Sequence, residues 1–286
     1  MSAVIFTNMA SLMAQKGLLG AQNSLALSVE RLSSGLRINR AKDDAAGLGV
    51  GENLQKQLNG VRQGINNLND AISMAQTAEG ALQSVSAMSQ RMITLATQGA
   101  NETMSADQRA SVANEISVLR DSINSVAGRT KYTGTLIFGT STTKIQVSNE
   151  ATDTIEITSS SFGAIGVKTG GSTSGVALDT AITALVAASG ATTANFVAVQ
   201  TKASDYLNAI TTQRGALGAV QNQLEYTVSN LTEYANNLSA SRSRVMDTDY
   251  ASETAALTKG QILQQASTAM LAQANQMPNV ILTLLK

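Results

Sequence analysis

ASDYLNAITTQRGALGAVQNQLEYTVSNLTEYANNLSASRSRV, residues 203–245, decides the fold. Read in sevens, it sets Ile210, Leu217, Leu224, Leu231, Leu238 and Val245 in an unbroken apolar ladder. Past Val245 the register slips by four residues, and the ladder resumes at Ala256, Leu263, Met270, Met277 and Leu284. A seven-residue apolar repeat keeps one helix face turned toward partner helices, and a four-residue insertion is a stutter in that repeat. The stretch therefore predicts one long helix, or two in series. Only other long helices can cover a stripe of that length.

The two halves of the ladder differ in their surroundings. The first carries Arg214, Glu225 and Glu233, whereas residues 260–285 hold no charged side chain. A surface helix of a monomer normally has a charged face, so a helix without one is expected to be enclosed by other chains. It is not a membrane span, because Gln and Asn interrupt it too often for a run of about 20 apolar residues. Residues 1 to 38 share this character: Lys16 is the only charged side chain before Glu30, and Leu18, Leu25 and Leu32 are spaced by seven. The two ends of the chain are most simply partners of each other and of neighbouring subunits.

Composition narrows the function classes. The 286 residues have zero net charge, no His, no Cys, one Pro and 3% aromatics. Any core is thus aliphatic and thin, which suits a bundle. Without His or Cys the common general base, the thiolate nucleophile and the familiar zinc motifs are gone. Asp43/Asp44 and Asp247/Asp249 are paired carboxylates, but each lies beside a basic residue, Lys42 or Arg244, in a linker-like stretch. They read as salt-bridged structural groups, and neither an enzyme nor a cofactor is expected. Neutrality gives no electrostatic case for nucleic acid or anionic membranes. The N-terminal stretch has no basic region and no long apolar run, so export by a cleaved secretory signal is not expected.

Along the chain, residues 39–53 (NRAKDDAAGLGVGEN) read as a linker because of Gly47, Gly49 and Gly51. From Leu54 a helix-period stripe runs through Leu58, Val61, Ile65, Leu68, Ile72, Leu82, Met92 and Leu95, to a stop at Gly99. Ser105 and Gln108 form a capping box for a third helix with Val112, Ile116, Leu119, Ile123 and Val126 inward, and Gly128 as its C-terminal cap. Residues 130–163 change to short β-branched runs, expected as an antiparallel hairpin or a three-stranded piece. Residues 164–195 are a loop rich in Gly, Ser and Thr, with a short helix near Leu178–Ala188. The fold class is mainly α: a long antiparallel bundle, rod-like, with its termini together and a small β-region at the mid-sequence tip.

Several segments carry a family likeness. Leu32-Ser-Ser-Gly-Leu-Arg-Ile-Asn39 with Ala41-Lys-Asp-Asp-Ala-Ala-Gly47 resembles the N-terminal signature of bacterial flagellin. Asn236-Asn-Leu-Ser239, Arg242-Ser-Arg244, Asp247-Thr-Asp-Tyr-Ala251, Gln261-Ile-Leu-Gln-Gln-Ala266, Leu271-Ala-Gln-Ala-Asn275 and Leu282-Thr-Leu-Leu285 resemble its C-terminal signature. The resemblance implies a self-assembling subunit of the extracellular flagellar filament, exported unfolded by the flagellar type III apparatus. It implies inner-core arms at 1–45 and 246–286, and an outer-tube bundle at 46–245 whose variable part is only the loop at about 164–195. Its implied partners are other copies of the chain, the export apparatus, a secretion chaperone, the filament cap and hook–filament junction proteins. A junction protein itself, which shares such arms, is the alternative.

On this reading Leu263, Met270, Met277, Ile281 and Leu284 meet Leu12, Leu18, Leu19 and Leu25 in the inner core. Ile210, Leu217, Leu224 and Leu231 meet Ile65, Leu68, Ile72, Leu82, Val112, Ile116 and Ile123 in the bundle. The resemblance also points to a Toll-like receptor 5 patch at Gln90, Arg91, Leu95 and Glu115, with Ile93 and Thr94 standing where the family motif has Arg-Glu.

Overall fold

The computed structural model describes residues 8–139, 142–157, 165–166, 173–187 and 191–284. The side chains of residues 173 and 277–284 lie outside the described part, as do residues 164, 167–172 and 188–190 of the expected variable loop. In chain order the elements are α1 (Met9–Ser34), α2 (Ala45–Gly99), α3 (Ala106–Arg129), β1 (Lys131–Tyr132), β2 (Thr135–Leu136), β3 (Thr143–Gln146) and β4 (Thr154–Ile157). Then follow α4 (Thr173–Val186), α5 (Thr193–Met246) and α6 (Tyr250–Leu284). The chain forms two compact units, one of residues 1–58 and 236–286, the other of residues 59–235. The terminal unit thus includes the first turns of α2 and the last turns of α5.

The mid-chain unit is a helical bundle whose seams follow the predicted periods. At 55 residues, α2 is about 80 Å long, at about 1.5 Å per residue. Leu68, Leu82, Val112, Ile116, Ile123, Ile210, Leu217, Leu224 and Leu231 are all buried. Ile65 and Ile72 are half-buried at the edge of the α2 stripe. Arg214 on α5 places Nη2 2.6 Å from Glu79 Oε1 on α2, which accounts for a carboxylate at an apolar spacing. Ser105 and Gln108 close the predicted capping box on α3. Its C-cap, however, is Thr130, whose N–H donates to the Val126 carbonyl; Gly128 is an ordinary residue of the last turn.

Among the described residues the β-region is two separate two-stranded hairpins. β1 pairs with β2 and β3 with β4, both antiparallel. Lys144 stands opposite Glu156 in the second, with Nζ 2.7 Å from the carboxylate. This hairpin lies on α2: the Asn67 amide donates to the Gln146 carbonyl at 2.9 Å. Gly60 and Gly64 clear the space for it, since a Cβ on Gly64 would stand 1.6 Å from the Val147 carbonyl oxygen. Gly99 does the same for the ring of Phe196 on α5.

Tyr206, fully buried on α5, donates its hydroxyl to the Ile165 carbonyl. Burial pushes its phenol well above the ordinary value of 10.0. A group whose folded pKa is raised contributes stability below its unfolded pKa and loses it as pH climbs beyond. Unfolding followed against pH should therefore show stability falling above about pH 10, where the unfolded tyrosine ionises. Tyr206→Phe should weaken that alkaline slope, and an unchanged slope would place its cause elsewhere.

Candidate assembly surface

In the terminal unit, α1 and α6 run antiparallel, and the contacts set the register. Asn8 Nδ2 donates to the Ala274 carbonyl at 2.7 Å, and Ser11 Oγ donates to Asn275 Oδ1 at 3.0 Å. Gly17 faces Ser267, Gly260 faces Leu25, and Arg31 meets Glu253 at 3.6 Å. The residues turned inward follow the seven-residue repeat on both helices. On α1 they are Ser11, Ala14, Leu18, Ala21, Leu25 and Ser28; on α6, Glu253, Leu257, Gly260, Gln264, Ser267, Leu271 and Ala274. Small side chains dominate, so the two backbones approach closely. The cost is coverage: a seam this narrow cannot hide a wide apolar stripe.

The predicted inner-core residues divide accordingly. Leu18 and Leu25 sit in the seam, half-buried. Leu12, Leu19, Leu263 and Met270 do not: they are 51%, 61%, 47% and 65% exposed. Met9, Met13, Val29 and Ile262 are exposed with them. The side chains of Met277, Ile281 and Leu284 lie outside the described residues. On α6 the seam residues 253, 260, 267 and 274 are three positions from the ladder of 256, 263 and 270, roughly 60° around the helix at about 3.6 residues per turn. The periodicity showed the apolar face; that a second face of small residues meets α1 was missed. Its signal was legible as Gly260, Ser267 and Ala274 at a strict interval of seven.

The segments joining these helices to α2 and α5 are built with care. Residues 45–53 are not a linker: α2 starts at Ala45, and two of the three glycines, Gly47 and Gly51, are contact points. A Cβ on Gly47 would strike Ile38 and Asp44 at 2.6 and 2.4 Å, and one on Gly51 would strike Met246 at 2.4 Å. Asp44 caps α2 by accepting from the Gly47 N–H at 2.9 Å, while Asp43 accepts from the N–H groups of Asn39 and Arg40. Gly35 ends α1 at φ +73°, a left-handed conformation that glycine adopts without a steric cost.

Between α5 and α6 the four-residue slip is a break rather than a stutter, so the ladder runs through two helices in series. Asp249 caps α6, accepting from the Ala251 N–H at 2.9 Å. The chain there is pinned to the turn after α1: Arg37 N–H donates to the Met246 carbonyl at 2.7 Å, and Thr248 N–H to that of Gly35 at 3.0 Å. Asp43, Asp44 and Asp249 are thus helix caps and turn acceptors, while Asp247 forms a backbone bridge with Leu36. Among the described residues no group of His, Cys, Asp or Glu is placed to hold a metal, and no helix is long and apolar enough to cross a membrane.

The expected receptor patch is partly folded away. Leu95 is 1% exposed, in the bundle core, so it is not a surface residue. Gln90, Arg91 and Glu115 are exposed, but Arg91 donates through Nε and Nη2 to Glu115 Oε1 at 3.1 and 2.7 Å. What faces solvent is Gln90 beside an ion pair closed on itself.

Comparison with known proteins places both ends of the chain. Residues 5–143 match the bacterial flagellin N-terminal helical region, and residues 201–285 match the bacterial flagellin C-terminal helical region. The chain is 39% identical to a flagellin of Bacillus subtilis, over 91% of this chain and 92% of that one. It is 34% identical to polar flagellin F of Vibrio parahaemolyticus, over the whole of both. Among solved structures, a candidate flagellar hook-associated protein from Vibrio parahaemolyticus matches with TM-score 0.59 at 17% identity, over 72% of this chain and all of that one. That last likeness is one of fold alone.

Proposed function

Because this chain belongs to the bacterial flagellin family, and is a structural subunit of the flagellar filament that serves motility, we propose that the exposed apolar stripe of α1 and α6 is the surface through which it polymerises. One observation carries this: two paired helices, almost free of charge, leave Leu12, Leu19, Leu263 and Met270 uncovered. Burying the uncovered part of such a side chain is worth roughly 1 kcal/mol. With Met9, Met13, Val29 and Ile262 these residues together offer on the order of 10 kcal/mol per subunit. That is enough to offset the lost rotational and translational freedom of a docked subunit. Secretion, export of the unfolded chain through the flagellar type III apparatus, and handling by chaperone, cap and junction proteins belong to the same reading, and family membership supports them. A junction role has only the shared fold of a distant relative behind it.

The test is electron microscopy after seeding or salting out, with the intact chain beside one trimmed to residues 46–245. Long filaments from the intact chain alone are expected. Filaments from both would remove the terminal helices from the assembly surface, and filaments from neither would end the polymer reading. Export is tested apart from this, by whether deleting residues 1–45 keeps the chain inside cells that secrete the intact one.

A further inference from the structure

Three methionines among the described residues are exposed, and all three lie on the stripe proposed for assembly. Met9 is 62% exposed, Met13 73% and Met270 65%. The register that sets Gly17 against Ser267 and Ser11 beside Asn275 brings Met13 and Met270 to about the same level of the α1–α6 pair. Two methionine sulfurs are enclosed: Met92 is 0% exposed in the bundle core, and Met246 is 6% exposed, with its sulfur against Gly51, while Met74, Met88 and Met104 are half-buried. The chain has no cysteine, so no thiol competes for an oxidant.

We propose that the thioethers of Met9, Met13 and Met270 are an oxidation site in the unassembled subunit, and that their conversion to sulfoxides by a peroxide blocks polymerisation until it is reversed. This rests on the assembly surface proposed above. In the reaction a sulfur lone pair attacks one oxygen of hydrogen peroxide. An S–O bond forms, the O–O bond breaks, and the second oxygen leaves as water after the proton transfers. The sulfur is oxidised by two electrons and the peroxide is reduced by two. The product is a polar, strongly accepting group where an apolar one stood. Exposed on a free subunit, the sulfoxide is hydrated at no cost. Buried in an apolar contact without a donor, it is penalised, so the effect falls on assembly and not on the fold. Contacts between subunits would in turn shield the same sulfurs in a finished filament.

Soluble intact subunit is treated with hydrogen peroxide, mapped by peptide mass spectrometry and then seeded. Met9, Met13 and Met270 should oxidise ahead of Met92 and Met246, with the critical concentration for growth rising at least tenfold. A variant with Met9→Leu, Met13→Leu and Met270→Leu, swaps of nearly equal volume, should grow alike before and after peroxide. Methionine sulfoxide reductases should restore growth of the treated parent. Undiminished growth by subunits carrying these sulfoxides would overturn the proposal, as would equal loss of growth by the leucine variant. Failure of the untreated parent to grow would instead count against the assembly surface itself.

Discussion

Met270→Asp is expected to leave the soluble subunit with its parental unfolding transition and to abolish filament growth. The two halves of this expectation have separate grounds. In the single chain the Met270 side chain is 65% exposed and outside the α1–α6 seam. A carboxylate there keeps its water, and surface changes of this kind stay within about 0.5 kcal/mol. In a polymer that covers the stripe the same carboxylate must lose its hydration. Between Gly260 and Leu285 no residue of its own helix offers a counter-charge. An unpaired buried charge costs several kcal/mol, and about 4 kcal/mol would raise the critical concentration roughly a thousandfold. Light scattering after seeding reads the assembly, and circular dichroism melts read the fold. Met270→Leu, apolar and similar in volume, should grow like the parent. Growth of the aspartate variant at the parental critical concentration would remove Met270 from any subunit contact. A collapsed melt would mean the residue already supports the single chain.

Gly64→Ala is expected to be the most damaging glycine substitution in the bundle, and Gly80→Ala on the same helix to be stabilising. Both lie inside α2, where alanine is favoured over glycine by about 1 kcal/mol. At Gly80 nothing stands within 4 Å of the added methyl, so that gain should appear undiminished. At Gly64 the methyl would sit 1.6 Å from the Val147 carbonyl oxygen, which is backbone and cannot rotate away. Either the β3–β4 hairpin lifts from α2, freeing buried Val147 and Ile145 and breaking the Asn67 contact, or α2 bends. Overpacking of this severity costs about 3 kcal/mol, which for a unit of this size is a fall of roughly 6–12 °C in melting temperature. The alanine at Gly80 should raise it by roughly 2–4 °C. If the two variants melted together, the hairpin would not rest on α2 as described.

These glycines show where reading the chain alone stopped. Gly47, Gly49 and Gly51 read as a linker because glycine marks freed backbone and close approach with the same letter. Gly47 and Gly51 turn out to be helical residues whose missing Cβ makes room for Ile38 and Met246. Only the partner's position tells the two uses apart, and that partner is distant in sequence in the second case. The break at residues 247–249 has the same character. A four-residue slip in a ladder is compatible with a stutter or with two helices. The pinning of Met246 and Thr248 to the turn after α1 chose the second, although Asp249 at a capping position was a local hint.

What the sequence determined by itself is periodic or short-range. The ladder from Ile210 to Leu238, the α2 stripe ending at Gly99 and the Ser105–Gln108 box depend on neighbours within one or two turns. So did the charge-free character of both ends, and with the terminal motifs that was enough to reach the family. What the tertiary structure decided is which face of a helix meets its own chain. α6 carries an apolar face of Leu263 and Met270 and, roughly 60° away, a face of Gly260, Ser267 and Ala274. Hydrophobicity ranks the first higher, yet α1 takes the second. Close approach of two helices is limited by side-chain volume, while the large side chains left outside give the subunit something to bury against another copy.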